Sequence, residues 1–307
     1  MKVNTAVKEF LSAKRTLSPL TVRSYKQRLC VFADWCTQHG FTLETLTARA
    51  VRTFIEDMGR RPGLGGHPMQ NSTVHCYATD VKTFLSWCAR EEDFEGLVST
   101  KIAARVESPP VETKVIEVFT DVQIAAFFRA AEEGDSAVRD RALLALLIDT
   151  GARASEVVGL TLDCTWLDPD DSYILVRGKG KKQREIGLGR VARMALRRYV
   201  TRYRRPDDRS DTHVFIARTG LPLTVSGLGQ LIVRLGKKAG ITGVRVSPHT
   251  FRHGFACAYL IAGGDLYKLS RLMGHTSVKV TERYLGAIKA RQARQGGYSV
   301  LDHLKDS

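Results

Sequence analysis

Helical periodicity runs through this chain to about Arg90, dissolves between Ser99 and Thr113, and resumes at Thr120. The gap carries Ser108-Pro109-Pro110 and no repeating apolar face, which is the composition of a linker. Two domains are therefore expected: residues 1–108, a linker at 109–118, and residues 119–307. A chain of 307 residues is long enough for each part to bury its own apolar core.

In the first part, Ser18-Pro19 reads as an N-cap followed by proline at the first helical position. Apolar residues then recur at Leu20, Val22, Tyr25, Leu29, Phe32 and Cys36 until Gly40. Thr47 caps a shorter helix ending near Gly59, and Arg60 to Pro68 is a Gly/Pro-rich loop. A further helix runs from about Ser72 to Arg90, with Val74, Tyr77, Val81, Phe84, Leu85 and Cys88 on one face. In the second part, Thr120-Asp121-Val122-Gln123 has the pattern of a capping box, and helices follow through Ala131 and from Ala137 to Thr150. The second of these is apolar nearly all round and is expected at the buried centre. Between Ser172 and Leu188 the period changes to that of a strand. Tyr173-Ile174-Leu175-Val176 and Glu185-Ile186-Gly187-Leu188 flank Arg177 to Arg184, a hairpin with a Gly- and Lys-rich tip. Helices are expected again near 190–203, 224–239, 248–262, 265–273 and 277–290. The fold class is mainly α with a small antiparallel sheet.

A net charge of +15, from 47 Lys+Arg against 32 Asp+Glu, creates a field that attracts polyanions. Both parts are basic, with 15 cationic against 11 acidic residues up to 108 and 32 against 21 beyond it. A membrane is the weaker partner. The longest apolar run, Ala142 to Ile148, has seven residues, where a spanning helix needs about 20. Met1 to Arg15 shows neither the continuous apolar region nor the small-residue cleavage site of a secretory signal. The cysteines, Cys30, Cys36, Cys76, Cys88, Cys164 and Cys257, contain no C-x-x-C pair, which argues against a zinc ribbon and a disulfide scaffold. They read as reduced, mostly core thiols of a cytoplasmic protein.

Six residues of the second part, Arg153, Lys179, His249, Arg252, His275 and Tyr284, make a phosphate-binding cation set that ends on a phenol able to act as nucleophile. Their contexts are Thr150-Gly151-Ala152-Arg153-Ala154-Ser155-Glu156, Gly178-Lys179-Gly180-Lys181, His249-Thr250-Phe251-Arg252-His253 and Leu272-Met273-Gly274-His275, with Tyr284 nine residues further on. Breaking a phosphodiester without a metal requires cations that hold the non-bridging oxygens as charge builds, a nucleophile, and an acid for the leaving oxygen. Arg153 and Arg252 are the natural clamp, since a guanidinium donates two parallel hydrogen bonds to phosphate and stays charged at working pH. Glu156, three residues after Arg153 and hence expected on the same helical face, is placed to orient that arginine or a neighbouring histidine. His249 and Arg252 follow Pro248, where a helix begins, so both project from its first turn, a favourable place for phosphate. A lone arginine is usually a solvated cation and a lone histidine a satisfied core residue. The ordered set is what carries the reading.

Two other chemistries are weighed against it. His249, His253 and Cys257 fall at i, i+4 and i+8, but no glutamate adjoins His249 and Cys257 follows apolar residues, so no metal site is expected. The Gly178-Lys179-Gly180-Lys181 tip lacks the G-x-x-x-x-G-K-[ST] order of a nucleotide loop. Lys181 and Lys182 belong to a solvated basic turn or contact the DNA backbone.

In order and spacing these motifs resemble the tyrosine recombinase (phage integrase) family over most of the chain. The resemblance implies an N-terminal helical, SAM-like domain that binds core DNA and an α-rich catalytic domain, closing clamp-like on the duplex. It implies that Arg153, His249, Arg252 and His275 surround the scissile phosphate and that Tyr284 attacks it, with Tyr298 in reserve. Lys179 then serves as general acid toward the leaving 5′ oxygen, and Glu156 is supporting. The implied product is a 3′-phosphotyrosyl link and a free 5′ hydroxyl, followed by attack of a partner strand, with no cofactor, metal or ATP. The implied partners are double-stranded DNA with specific recombination sites, a homotetramer on two sites, and an accessory DNA-bending or directionality protein. Leu285-Gly286, where chromosomal dimer-resolving members often carry Thr-His, points to a phage or mobile element, and the chain has no room for an arm-binding domain. The apolar tail Tyr298, Val300, Leu301 and Leu304, beyond Gly296-Gly297, is expected to dock on a neighbouring protomer. The rival readings are a type IB topoisomerase and a DNA binder that does not cut. The latter requires a broken catalytic position, and none is found.

Overall fold

A computed structural model of the chain describes residues 1–63, 66–111, 116–178, 183–275 and 277–295. Its contacts separate two compact units, Met1–Lys114 and Val115–Ser307.

The first unit carries α1 (Val3–Ala13), α2 (Pro19–Gln38), α3 (Ala48–Arg60), α4 (Asn71–Cys88) and α5 (Thr100–Ala104). The caps of α2 and α3 lie where the sequence puts them: Ser18 accepts from the Thr21 amide with Pro19 at the first position, and Thr47 accepts from Ala50. α1 is not foreseen. Its stripe, Val3, Ala6, Val7 and Phe10, is fully buried but interrupted by polar neighbours. α5 lies in the stretch without periodicity, where Ser99 caps it and Ile102 and Ala103 join the core; five residues are too few to display a period. Phe10 meets Tyr25, Phe84 and Trp87 edge-on at 5.3, 5.7 and 5.4 Å between ring centroids, so aromatic packing ties α1 to α2 and α4.

The second unit runs α6 (Asp121–Ala131), α7 (Ala137–Thr150), α8 (Ala154–Val158), β1 (Thr165–Leu167), β2 (Ser172–Arg177), β3 (Gln183–Gly187), α9 (Arg190–Arg198), α10 (Val225–Lys238), α11 (Pro248–Ile261), α12 (Leu266–Met273) and α13 (Lys279–Gln295). Thr120 and Gln123 form the expected capping box, each side chain accepting from the other's backbone N–H. Every residue from Ala142 to Leu147 is buried, so α7 is the central helix. The helix expected over 190–203 changes character at its end: Tyr199–Tyr203 widens into a π-turn. There the Tyr199 hydroxyl accepts the Ile216 N–H at 3.1 Å and its ring stacks on Phe215.

The sheet is antiparallel in the order β1-β2-β3. β2 and β3 are the expected hairpin, whereas β1 is three residues long and too short to alternate visibly. Ile174, Val176 and Ile186 fill its inward face, and Val176 stands opposite Arg184. Among the described residues no helix is long and apolar enough to cross a membrane.

Candidate active site

Gly151 ends α7 in the left-handed region at φ 57°, and a Cβ there would fall 2.5 Å from the Phe255 ring. This turn sets Arg153 immediately before α8, so Arg153 and Glu156 do not share a helical face. Glu156 instead reaches back: its carboxylate accepts the Arg153 backbone N–H at 2.7 Å and Nη1 at 2.9 Å. Nη2 of Arg153 donates to the Gly274 carbonyl at 2.8 Å, tying the start of α8 to the end of α12.

A second arginine, unread in the sequence, completes this group. Arg184 on β3 donates from Nη1 and Nη2 to the two oxygens of Glu156 at 2.7 and 2.8 Å, and from Nε to the Leu272 carbonyl at 2.5 Å. Strand parity is the signal that could have found it. Ile186 faces the core, so Arg184, two residues earlier, must face inward too. Burial acts to raise the Glu156 pKa, but hydrogen bonds from Arg184 and Arg153 and their charges outweigh it and hold the carboxyl below its usual range. Gly274, at φ 61°, permits the convergence: a Cβ there would lie 2.9 Å from the Arg184 guanidinium and 3.3 Å from that of Arg153.

Arg252 comes from α11, whose start is set by Ser247, accepting from the Thr250 amide, and by Pro248. It is 5% exposed and donates to two backbone carbonyls, Gly151 at 2.7 Å and Met273 at 2.6 Å, while Nη2 also meets His275 Nε2 at 3.0 Å. Burial, then the charge of Arg153, brings its pKa down to about 10, so it remains cationic at neutral pH. A guanidinium only donates, so His275 Nε2 accepts and its proton sits on Nδ1, which donates to the buried Thr281 hydroxyl at 2.8 Å. Burial, then Arg252 and Arg153, lowers the His275 pKa to about 4. His249, the second residue of α11, is half-buried. Desolvation and then Arg252, Arg245 and Arg153 lower its pKa as well, so both imidazoles are neutral at pH 7.

Tyr284 lies on α13, a 17-residue helix, and its phenol faces inward. It is 2% exposed, with its ring parallel to that of His275 within 10° at 6.5 Å, and the Arg283 guanidinium stands over the ring, 5.4 Å from its centroid. Burial raises the phenol pKa against the pull of Arg283, Arg252 and Arg153. Its hydroxyl is 3.0 Å from His253 Nδ1. The sequence offered His253 only as part of a metal triplet, since nothing local joins residues 31 apart in the chain. Among the described residues no group of three or more His, Cys, Asp or Glu is placed to hold a metal ion. Lys179, Lys181 and Lys182 lie outside the described residues, as does the tail with Tyr298, Val300, Leu301 and Leu304.

The structure thus brings Arg153, Glu156, Arg252, His275 and Tyr284 together and adds Arg184 and His253. Two guanidiniums, those of Arg153 and Arg184, share the Glu156 carboxylate, and a third, that of Arg252, is held by backbone carbonyls beside them, near the buried Tyr284 hydroxyl. Such an excess of fixed positive charge stabilises an anion, and the phenol supplies an oxygen nucleophile next to it.

Known proteins are similar to this chain in sequence and in fold. The phage integrase family matches residues 117–291, and the phage integrase N-terminal SAM-like domain matches residues 7–92. Tyrosine recombinase XerD of Corynebacterium glutamicum is 30% identical over 280 residues, covering 89% of this chain and 90% of its own. Tyrosine recombinase XerC of Yersinia pestis is 29% identical over 276 residues, covering 90% and 86%. Among solved structures, the XerH site-specific recombinase bound to palindromic difH substrate in a post-cleavage complex has a TM-score of 0.74 at 19% identity, over 94% of this chain and 83% of that one. The Tn1549 transposon integrase in complex with transposon right end DNA has a TM-score of 0.70 at 16% identity, over 97% and 100%.

Proposed function

We infer the working parts of this enzyme from one premise: the chain belongs to the phage integrase family and is a site-specific DNA recombinase. The observation that carries the assignment is the convergence of Arg153, Arg252 and His275, from three separate segments, around the buried phenol of Tyr284.

Arg153 and Arg252 hold the two non-bridging oxygens of the scissile phosphate as negative charge builds on them. His249 and His275, both neutral, add hydrogen bonds around the same group. Arg184 and Glu156 do not touch the phosphate; they fix Arg153 in place. The Tyr284 oxygen attacks phosphorus, the bond to the 5′ oxygen breaks, and a 3′-phosphotyrosyl link remains. Lys179, which falls between β2 and β3 in the sequence, gives its proton to the leaving 5′ oxygen. The 5′ hydroxyl of a partner strand then attacks the same phosphorus and displaces the phenol. Each step exchanges one phosphoester for another, so resealing draws on no nucleotide.

The substrate is double-stranded DNA carrying a recombination site, a reading supported by the XerH structure bound to palindromic difH substrate and the Tn1549 integrase structure in complex with transposon right end DNA. Four copies act on two sites in the cytoplasm, with an accessory bending or directionality protein, on behalf of a phage or mobile element. Lys181 and Lys182 contact the DNA backbone, and the tail beyond Gly296-Gly297 links neighbouring protomers.

The test uses a nicked suicide substrate, on which cleavage traps the covalent intermediate. Tyr284→Phe is expected to keep gel-shift binding and to form no adduct; an adduct in this variant moves the nucleophile elsewhere, to Tyr298 first. A substrate with sulfur at the bridging 5′ position needs little acid help, so it should restore cleavage to Lys179→Ala and not to Arg153→Ala. Strand exchange between two duplexes, as opposed to relaxation of one, separates the recombinase from a type IB topoisomerase.

A further inference from the structure

Tyr284 meets His253 directly, and no step above uses that imidazole. The Nδ1 atom stands 3.0 Å from the phenol oxygen, with the rings 5.6 Å apart and inclined at 54°. One residue beyond Arg252 on α11, His253 is rotated by about 100° around the helix axis. Arg252 therefore points to the carbonyls of Gly151 and Met273 while His253 points to α13. One turn of helix thus presents a phosphate ligand on one side and a partner for the nucleophile on the other.

The protonation states fit a defined hydrogen bond. Burial, then Arg283, His249 and Arg252, brings the His253 pKa down to about 4, so at pH 7 the ring is neutral and has one nitrogen free to accept. The phenol, raised by burial above its ordinary value of 10, is protonated. The proton therefore stays on the phenol oxygen before attack and passes along this hydrogen bond to Nδ1 as the bond to phosphorus forms, so the imidazole first holds the hydroxyl and then takes up the proton it loses.

We propose that His253 is a positioning residue for the nucleophile, accepting the Tyr284 hydroxyl hydrogen at Nδ1 and thereby turning the oxygen lone pairs toward the phosphate held by the arginines. Without this acceptor the hydroxyl hydrogen turns to the next available acceptor, a phosphate oxygen, and the lone pairs rotate away from phosphorus. The proposal rests on Tyr284 being the nucleophile.

The test compares His253→Phe, which keeps a ring and lacks an acceptor, with His253→Asn, whose Oδ1 stands where Nδ1 does. Both are measured in single-turnover cleavage of the nicked substrate at saturating protein, beside Tyr284→Phe. The Phe variant is expected to cleave roughly 10- to 100-fold more slowly, the range a misplaced reacting group produces, with unchanged gel-shift affinity, and the Asn variant to recover part of the rate. A Phe variant as fast as the wild type, or an Asn variant as slow as Phe, overturns the proposal. Should the Phe variant fail to give a cooperative melt, His253→Ala takes its place, with added imidazole expected to restore cleavage and its failure to do so counting against the proposal. An adduct formed by Tyr284→Phe overturns the reading of the nucleophile itself, which keeps the two failures apart.

Discussion

Arg139 and Arg252 are buried in the same unit to nearly the same depth, 8% and 5% exposed, and they are satisfied in opposite ways. Arg139 places Nε and Nη2 on one oxygen of Asp140 at 2.8 and 2.7 Å and Nη1 on the Ile216 carbonyl at 3.1 Å. Its charge is cancelled where it stands. The hydrogen bonds of Arg252 go to two carbonyls and the His275 imidazole, so its geometry is fixed while its charge is not neutralised by a bonded carboxylate. The two carboxylates differ in the same sense. Asp140, bonded to one arginine, has its pKa raised by burial, while Glu156, bonded to two, is held low. A buried arginine with its own carboxylate belongs to the fold; one left open is a site waiting for an anion. Holding an unneutralised ion out of water costs several kcal/mol, and an incoming phosphate offsets that cost.

Four substitutions or conditions break or sharpen this comparison, from the largest effect to the smallest. Arg139→Met strands Asp140 without its bonded cation and is expected to lower stability by about 3–5 kcal/mol, whereas Arg139→Met with Asp140→Leu recovers most of it. Urea unfolding of both variants measures this; a neutral single substitution would show that the pair is not a closed unit. Arg252→Met is expected to slow cleavage by roughly 10²–10³-fold, about 2.7–4 kcal/mol of transition-state stabilisation, without lowering the melting temperature. A loss of stability as large as that of Arg139→Met would make Arg252 a structural residue and end the contrast. Arg184→Lys keeps the charge and loses the two-pronged grip on Glu156, so cleavage should slow by roughly 10-fold through a misplaced Arg153. An unchanged rate would mean that Glu156 orients Arg153 alone.

The pH dependence is the smallest effect. The His275 pKa is lowered from 6.5 to about 4 in the folded protein. Between those values the unfolded chain binds more protons, so this contribution to stability is present above 6.5 and is lost as pH falls toward 4. His275→Asn lacks the proton uptake, so the melting-temperature advantage of the wild type should narrow by a few degrees as pH is lowered through that window. A constant difference would mean that His275 is not buried in its neutral form.

The contrast between closed and open arginines was not visible in the sequence, although much else was. Apolar spacing and capping residues expose α2, α3, α4, α6 and α7, and alternation exposes the β2–β3 hairpin, because each signal is local and repeats within one element. α5 and β1 are too short to repeat, and polar neighbours interrupt the stripe of α1. Motif order brought forward Arg153, His249, Arg252, His275 and Tyr284, and all five are described in the second unit. What motif order could not supply is how the charges are partnered. Arg184 meets Glu156 across 28 positions, and His253 meets Tyr284 across 31, so both contacts exist only once β3 and α13 are packed. Even so, the inward parity of Arg184 with Ile186 marked it as a charged residue on a buried face.

The central claim is that Arg252, whose charge is left open, and Arg153 beside it hold a scissile phosphate for attack by Tyr284. Its most direct test is to trap the covalent complex on a nicked duplex, digest the protein and DNA, and locate the phosphonucleotide by tandem mass spectrometry. The account predicts that the modification lies on Tyr284, through a link to the 3′ phosphate. A modification on Tyr298 or any other side chain, or a link to a 5′ phosphate, would contradict it.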